Sequence, residues 1–209
     1  EGFLGRAHYA PIAGAVSDAI PVEAEGLCLN LAGGTGYYLA RVLDAHPRLV
    51  GLDLDLSKFA LRRAARAHPR ISAVAADAWR PLPVQTAAVA FVLSIFGPRN
   101  AVEIGRVLGP DGRLIVVTPT ARHLAELVGR LGLITVDARK QERLGDQLAA
   151  FTRLSARTVE YSIELSRADV LNEVLMGPSA YHLDHDRLAE AVDVLPGAFV
   201  TTVSVIVSV

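Results

Sequence analysis

The sequence predicts an α/β fold: a seven-stranded, doubly wound sheet, mostly parallel, with an antiparallel last strand. Three observations predict it. Short, nearly continuous apolar runs alternate with helical patterns through the first half of the chain, as expected for strands covered on both faces. A glycine-rich turn, "AGGTG" at 32–36, separates the first apolar run from the first amphipathic one. Late in the chain, "TVEYSIEL" (158–165) alternates in period two and "AFVTTVSVIVSV" (198–209) closes the sequence, which suits a final antiparallel pair.

Taken in order, a helix over 8–20 precedes the first strand at 27–31. Further strands at 49–55, 71–76, 88–95 and 113–118 alternate with helices at 36–46, 57–67 and 100–108. That alternation makes the strands parallel neighbours. Ser57 is placed as the N-cap of its helix. Beyond them, 123–131 reads as a helix, 138–150 as a charged helical segment, and 167–176 and 184–195 as helices. No repeat, low-complexity tract or linker interrupts the chain, so 1–209 reads as one domain with a helical lead-in over 1–22.

At 209 residues and 51% hydrophobic content, the chain can bury a full core and is globular rather than disordered. No apolar run reaches the roughly 18 residues of a membrane span, and no membrane partner is expected. The chain begins at Glu1 rather than Met, which suggests a missing upstream segment. A single cysteine, Cys28, excludes an internal disulfide and a cysteine-rich zinc site in this chain; a cytoplasmic location is expected. The net charge of −1 gives no global attraction to nucleic acid. An RNA partner would need local patches, for which Arg62, Arg63, Arg66 and Arg70 form one candidate and Arg139, Lys140 and Arg143 another. "HLDH" (182–185) reads as a polar turn, and no metal site is assigned.

The glycine turn leaves strand one and enters a helix. Glycine permits close approach of backbone to ligand, and the helix start offers free N–H groups at its positive end. A dinucleotide fingerprint needs G-x-G-x-x-G, but from Gly34 the order is G-T-G-Y-Y-L, without the third glycine. No Walker lysine follows. The acid-x-G-x-G-x-G loop of class I methyltransferases, which bind S-adenosylmethionine (SAM), fits better; here it reads Asn30-Leu31-Ala32-Gly33-Gly34-Thr35-Gly36. On the second strand, Asp53 and Asp55 point to the same side. Asp55, nearer the strand's end, is the expected acceptor for the cofactor ribose, and Asp53 reads as a turn residue. Asp77, after the third run, is placed to accept from the adenine amino group.

The segments "RAHYAPI" (6–12), "GTGYYLARVLDAHP", "LDLSKFALRRAARAHPR", "ADAWRPLPV", "VLSIFGPRN", "HLAELVGRLGLITVDARKQERL" and "MGPSAYH" make the chain resemble the 23S rRNA guanine-N1 methyltransferases. These include actinobacterial members linked to tylosin-type macrolide resistance. The resemblance implies a Rossmann-like class I domain that uses SAM to methylate one guanine in a 23S rRNA hairpin loop. It also implies a zinc-binding module upstream, and it is compatible with a homodimer. Carried over, the cofactor would meet Asn30, Ala32, Gly34, Gly36, Asp55, Leu56, Asp77, Ala78 and Ser94. The target base would meet Phe96, Pro98 and Arg99: a stacking ring, a stiffened loop, and a cation for a phosphate or the guanine carbonyl oxygen. No general base stands out; His123 and His182 are the candidates.

The chain departs from the family pattern at several positions. Asn30 stands where the family has Asp, which should cost on the order of 1 kcal/mol of charge assistance toward SAM. Ala32 replaces Gly, which is tolerable if φ there is negative. Ala90, Ser94 and Gly97 replace Asp, Asn and Ala. A small-molecule methyltransferase and a scaffold with weakened catalysis are the alternatives. The charged stretch at 138–146 argues against the apolar lid that a small-molecule enzyme would want.

Overall fold

A computed structural model of the chain describes residues 2–133, 145–176 and 185–209, with backbone alone for 185–187. Most of the charged 138–150 segment, His182 and nearly all of "MGPSAYH" and "HLDH" lie outside the described residues. The elements are α1 (Gly2–Gly5), α2 (Ala10–Asp18), β1 (Gly26–Leu31), α3 (Tyr37–Ala45), β2 (Leu49–Asp55), α4 (Lys58–Ala67) and β3 (Ile71–Ala75). There follow β4 (Val89–Ile95), α5 (Ala101–Val107), β5 (Leu108–Pro119), α6 (Ala125–Leu131), β6 (Ala156–Ser166), α7 (Arg167–Met176), α8 (His185–Asp193) and β7 (Ala198–Ser208).

The strands form one sheet in the order β3-β2-β1-β4-β5-β7-β6. Strands β1 to β5 are parallel. β7 lies antiparallel to both of its neighbours, β5 and β6. The chain runs outward from β1 to β3 and then crosses back to β4. The strand order therefore reverses beside β1, and the C-terminal ends of β1 and β4 flank the usual ligand position in such sheets.

Alternation along each strand divides the core between the two faces. Cys28, Phe91, Leu93, Ile115 and Val117 pack with α2, α3 and α7 on one side. Leu29, Leu31, Val92, Leu114 and Val116 pack with Ile104 and Val107 of α5 on the other. Burial on both faces explains why these strands read as near-continuous apolar runs. β5 begins at Leu108, before the expected 113, and its pairing with β4 slips between Val89 and Phe91. A bulge carries the Gly109–Gly112 turn residues into the strand.

Helix starts follow their caps. Ser57 Oγ accepts from Ala60 N at 3.3 Å, and Asn100 Oδ1 accepts from Glu103 N at 3.3 Å. α3 has no side-chain cap and starts from Gly36 at φ 76°. One expectation changes here. Arg70 is not part of a basic surface: its guanidinium donates to the carbonyls of His46 and Pro47, each at 3.0 Å, and to those of Leu43 and Leu49. It ties the end of α3 to the start of β2.

Candidate active site

The site begins with a buried polar pair under the glycine loop. Asn30 on β1 and Asp53 on β2 are register partners, 1% and 0% exposed. Asn30 Nδ2 donates to Asp53 Oδ2 at 2.9 Å. Gly33 crosses directly above them, its N–H donating to Leu54 O at 3.1 Å. A Cβ on Gly33 would lie 2.1 Å from Asn30 Nδ2 and 2.3 Å from Asp53 Oδ2, so only glycine can cross there. Burial pushes the Asp53 carboxyl up to about 7; the bond from Asn30 opposes the rise and nearby Asp55 adds to it. Asp53 Oδ1 is buried without a hydrogen-bond partner among the described residues.

Two expectations are corrected at this loop. Asp53 is no turn residue, because β2 continues to Asp55 and holds Asp53 inside the sheet. Ala32 does not have negative φ; it sits at φ 51°, a conformation that costs an L-residue roughly 1–2 kcal/mol. The turn needs left-handed residues at Ala32, Gly34 and Gly36, and the first is supplied with strain.

Asp55 ties the loop to β2. Its Oδ2 accepts from Gly34 N at 2.9 Å and its Oδ1 from Ser57 N at 2.8 Å. Each carboxylate oxygen keeps a further acceptor position, so the residue can hold the loop and accept from a ligand. Leu56 beside it is exposed. β3 ends two residues before Asp77, whose Oδ1 accepts from Trp79 N at 2.9 Å. Ala78 is buried and Trp79 exposed.

At the end of β4, Ser94 is fully buried and its hydroxyl donates to Pro98 O at 3.3 Å. That bond closes the turn over 95–98. Phe96 sits at φ 56°, which turns its ring out of the sheet; the residue is 40% exposed. The ring stacks on His123 with centroids 5.6 Å apart and leans on Tyr9 at 6.2 Å. Arg99 Nε is buried without a partner among the described residues, and burial lowers the guanidinium pKa.

Behind Phe96 lies a group that sequence reasoning missed. Tyr9 Oη donates to Glu173 Oε1 at 2.6 Å and lies 3.5 Å from His123 Nε2. His123 Nδ1 accepts from Ser204 N at 3.3 Å, which puts the neutral ring's proton on Nε2. Burial pushes the Glu173 carboxyl up to about 7, against the bond from Tyr9. Glu173 Oε2 and the hydroxyls of Tyr37 and Tyr38 are buried without partners among the described residues. "RAHYAPI" marks Tyr9; nothing in the sequence marks Glu173, an acid on an ordinary amphipathic pattern.

These groups fit a cofactor with a ribose, a base and a charged amino-acid end. Left-handed glycines open the loop, Asp55 offers acceptors, and buried polar atoms without partners among the described residues include Asp53 Oδ1 and Glu173 Oε2. The fold matches BH2331 of Bacillus halodurans with a TM-score of 0.63 at 14% identity, over 94% of this chain and 96% of that one. It matches a SAM-dependent methyltransferase from Aquifex aeolicus at 0.54 and 12% identity, over 70% and 82%. These likenesses show the fold, the α/β sheet of the class I SAM-dependent methyltransferases. In sequence, the chain is 44% identical over 207 residues to the 23S rRNA (guanine(748)-N(1))-methyltransferase of Streptomyces fradiae, covering 97% of this chain and 74% of that protein. It is 45% identical over 222 residues to a Micromonospora griseorubida protein named for the same guanine-N1 activity, covering 98% and 75%. The chain belongs to the 23S rRNA (guanine-N1) methyltransferase family. No family model matches it.

Proposed function

We propose that this chain transfers the methyl group of SAM to N1 of a guanine in a hairpin of 23S rRNA, in the cytoplasm. The observation that carries the reading is the identity to two such relatives along 97–98% of the chain. The site offers groups suited to positioning the two substrates. Guanine N1 must lose its proton and meet the methyl in line with the sulfonium, and the base must leave its stack. Phe96, turned out at the end of β4, offers a face for the extruded base. Pro98 stiffens that turn, and Arg99 stands next to it as a cation for a phosphate or the guanine carbonyl oxygen. Ala32, Gly34 and Gly36 form the cofactor cradle, and Asp55 accepts from the ribose. Asp77 and Ala78 line the adenine side with Leu56, while Ser94 fixes the turn that separates cofactor from target. Arg62 and Arg66 on α4 are the local cations for RNA. No helix among the described residues is long and apolar enough to cross a membrane.

The test is methylation of 23S rRNA hairpin transcripts, mapped by primer extension, because N1-methylguanine blocks pairing. A SAM-dependent stop at one loop guanine is expected, with the position corresponding to guanine 748 of the S. fradiae relative's name read first. Tight SAM binding with no stop at any guanine would count against the rRNA substrate. A second measurement addresses the ribose. Asp55→Ala should weaken SAM binding by about 2 kcal/mol, roughly thirtyfold. Unchanged affinity by calorimetry would remove Asp55 from the cofactor contacts.

A further inference from the structure

Asn30 and Asp53 are buried side by side beneath Gly33, with one carboxylate oxygen bonded and the other unpartnered among the described residues. Leaving a carboxylate in such a place without a countercharge is costly. The groups around it supply none. Asn30 faces it from β1, Asp55 follows on its own strand, Ala73 is its register partner on β3, and the Gly33 backbone lies above. No cation stands among them. A ligand that brings positive charge to the loop would complete the pair.

The hydrogen bond also fixes the amide's direction. With Nδ2 committed to Asp53, the Asn30 carbonyl oxygen is turned to the opposite side, and the carboxylate behind it polarises the amide toward a more negative oxygen. The sequence pattern puts the acid of this loop at position 30. In the structure the acid sits one strand away, on the register partner.

We propose, on the reading that this chain binds SAM, that Asp53 is the positioning acid for the cofactor's amino-acid end, holding the Asn30 carbonyl oxygen toward the ammonium group and supplying its negative charge. Charge-assisted acceptors are about twice as strong as neutral ones, and a buried relay keeps the charge out of competing water. The Asp53 carboxyl, pushed up to about 7 by burial in the absence of a cation, is drawn back down by an ammonium. Ligand affinity should then rise as pH increases through about 7, with proton release on binding below that pH.

The experiment is calorimetric titration of the 209-residue chain with S-adenosylhomocysteine and with its desamino analogue, which lacks only the ammonium group. Wild type, Asp53→Asn and the swap Asn30→Asp/Asp53→Asn are compared, each first shown folded by thermal unfolding. Asp53→Asn should bind S-adenosylhomocysteine about tenfold more weakly while the desamino analogue changes little. The swap, which again pairs one carboxylate with one amide, should recover most of the loss. If Asp53→Asn fails to fold, the wild-type titration decides: S-adenosylhomocysteine affinity should fall below pH 7 and that of the analogue should not. Equal loss of both ligands without recovery in the swap would make Asp53 a mere support of the loop and overturn the proposal, as would an unchanged affinity or a flat pH profile for S-adenosylhomocysteine. Failure of the wild-type chain to bind S-adenosylhomocysteine at all would instead overturn the SAM-dependent function, and this inference with it.

Discussion

Gly33→Ala should destabilise the protein by about 3–5 kcal/mol and remove SAM binding, while Gly34→Ala should cost only about 1–2 kcal/mol. Backbone conformation alone would rank them the other way, because Gly34 has positive φ and Gly33 does not. Space decides. A Cβ at Gly34 meets nothing within 4 Å, so only backbone strain is added. A Cβ at Gly33 would fall 2.1 Å from Asn30 Nδ2 and 2.3 Å from Asp53 Oδ2. Both atoms are buried in the sheet and cannot swing into water. Their hydrogen bond must open, or the loop must lift and lose its bond to Leu54. Either way, two desolvated polar groups lose a partner. Denaturant unfolding of the two variants checks the ranking, and near-equal losses would show that the loop can move off the pair.

Glu173→Gln should stabilise the fold at pH 8 by about 2 kcal/mol or more, and the gain should close toward pH 5. The sign follows from the direction of the shift. Burial raises the Glu173 carboxyl to about 7, above the ordinary value near 4.3 of an unfolded chain. The folded state thus holds a proton that the unfolded state releases. The stability this contributes is complete below about pH 4.3 and is lost as pH rises to about 7. The groups facing Glu173, namely Tyr9, Tyr38 and Tyr161, bring no cation to offset the charge. Glutamine keeps an acceptor for Tyr9 Oη and removes the titration. Unfolding at pH 5, 6.5 and 8 reads the difference directly; a variant less stable than wild type at pH 8 would mean that ionised Glu173 is compensated after all.

The parts of this molecule that depend on neighbours in sequence were legible. Apolar runs buried on both faces gave the parallel strands, Ser57 announced α4, and the place of Asp55 at the end of its strand set it beside the glycine loop. What failed to show depends on register and on distant packing. Asn30 and Asp53 are 23 residues apart, and only the in-register pairing of β1 with β2 reveals them as one unit. Asp53 passed for a turn former because aspartate ends many strands, and nothing local says that Asn30 waits beside it to take its carboxylate. The φ of Ala32 is set by a turn whose geometry no composition rule fixes. Tyr9 and Glu173 are 164 residues apart, joined only when α7 packs against α1 and the residue just before α2. Arg70 looked like surface charge because a guanidinium that caps backbone carbonyls reads the same in sequence as one in water.

β7 has a consequence in time as well as in space. It is the last strand in chain order, yet it lies inside the sheet between β5 and β6, and among the described residues β6 pairs with no other strand. As the chain leaves the ribosome, β1 to β5 can assemble with the glycine loop, Asp55 and the turn at Phe96 already in place. β6 emerges with no place in the sheet until β7 arrives to bridge it to β5, with Ala156 meeting Ser208 and Ser166 meeting Ala198. Such non-local closure is slow and leaves strand edges open to other chains in the meantime. The cofactor half of the site is thus built early, and the strand that holds His123 through Ser204 N arrives only at the final step of synthesis. A chain cut short before β7 would keep the cradle, lose the Ser204 bond that holds His123 behind Phe96, and carry unpaired strand edges that invite aggregation.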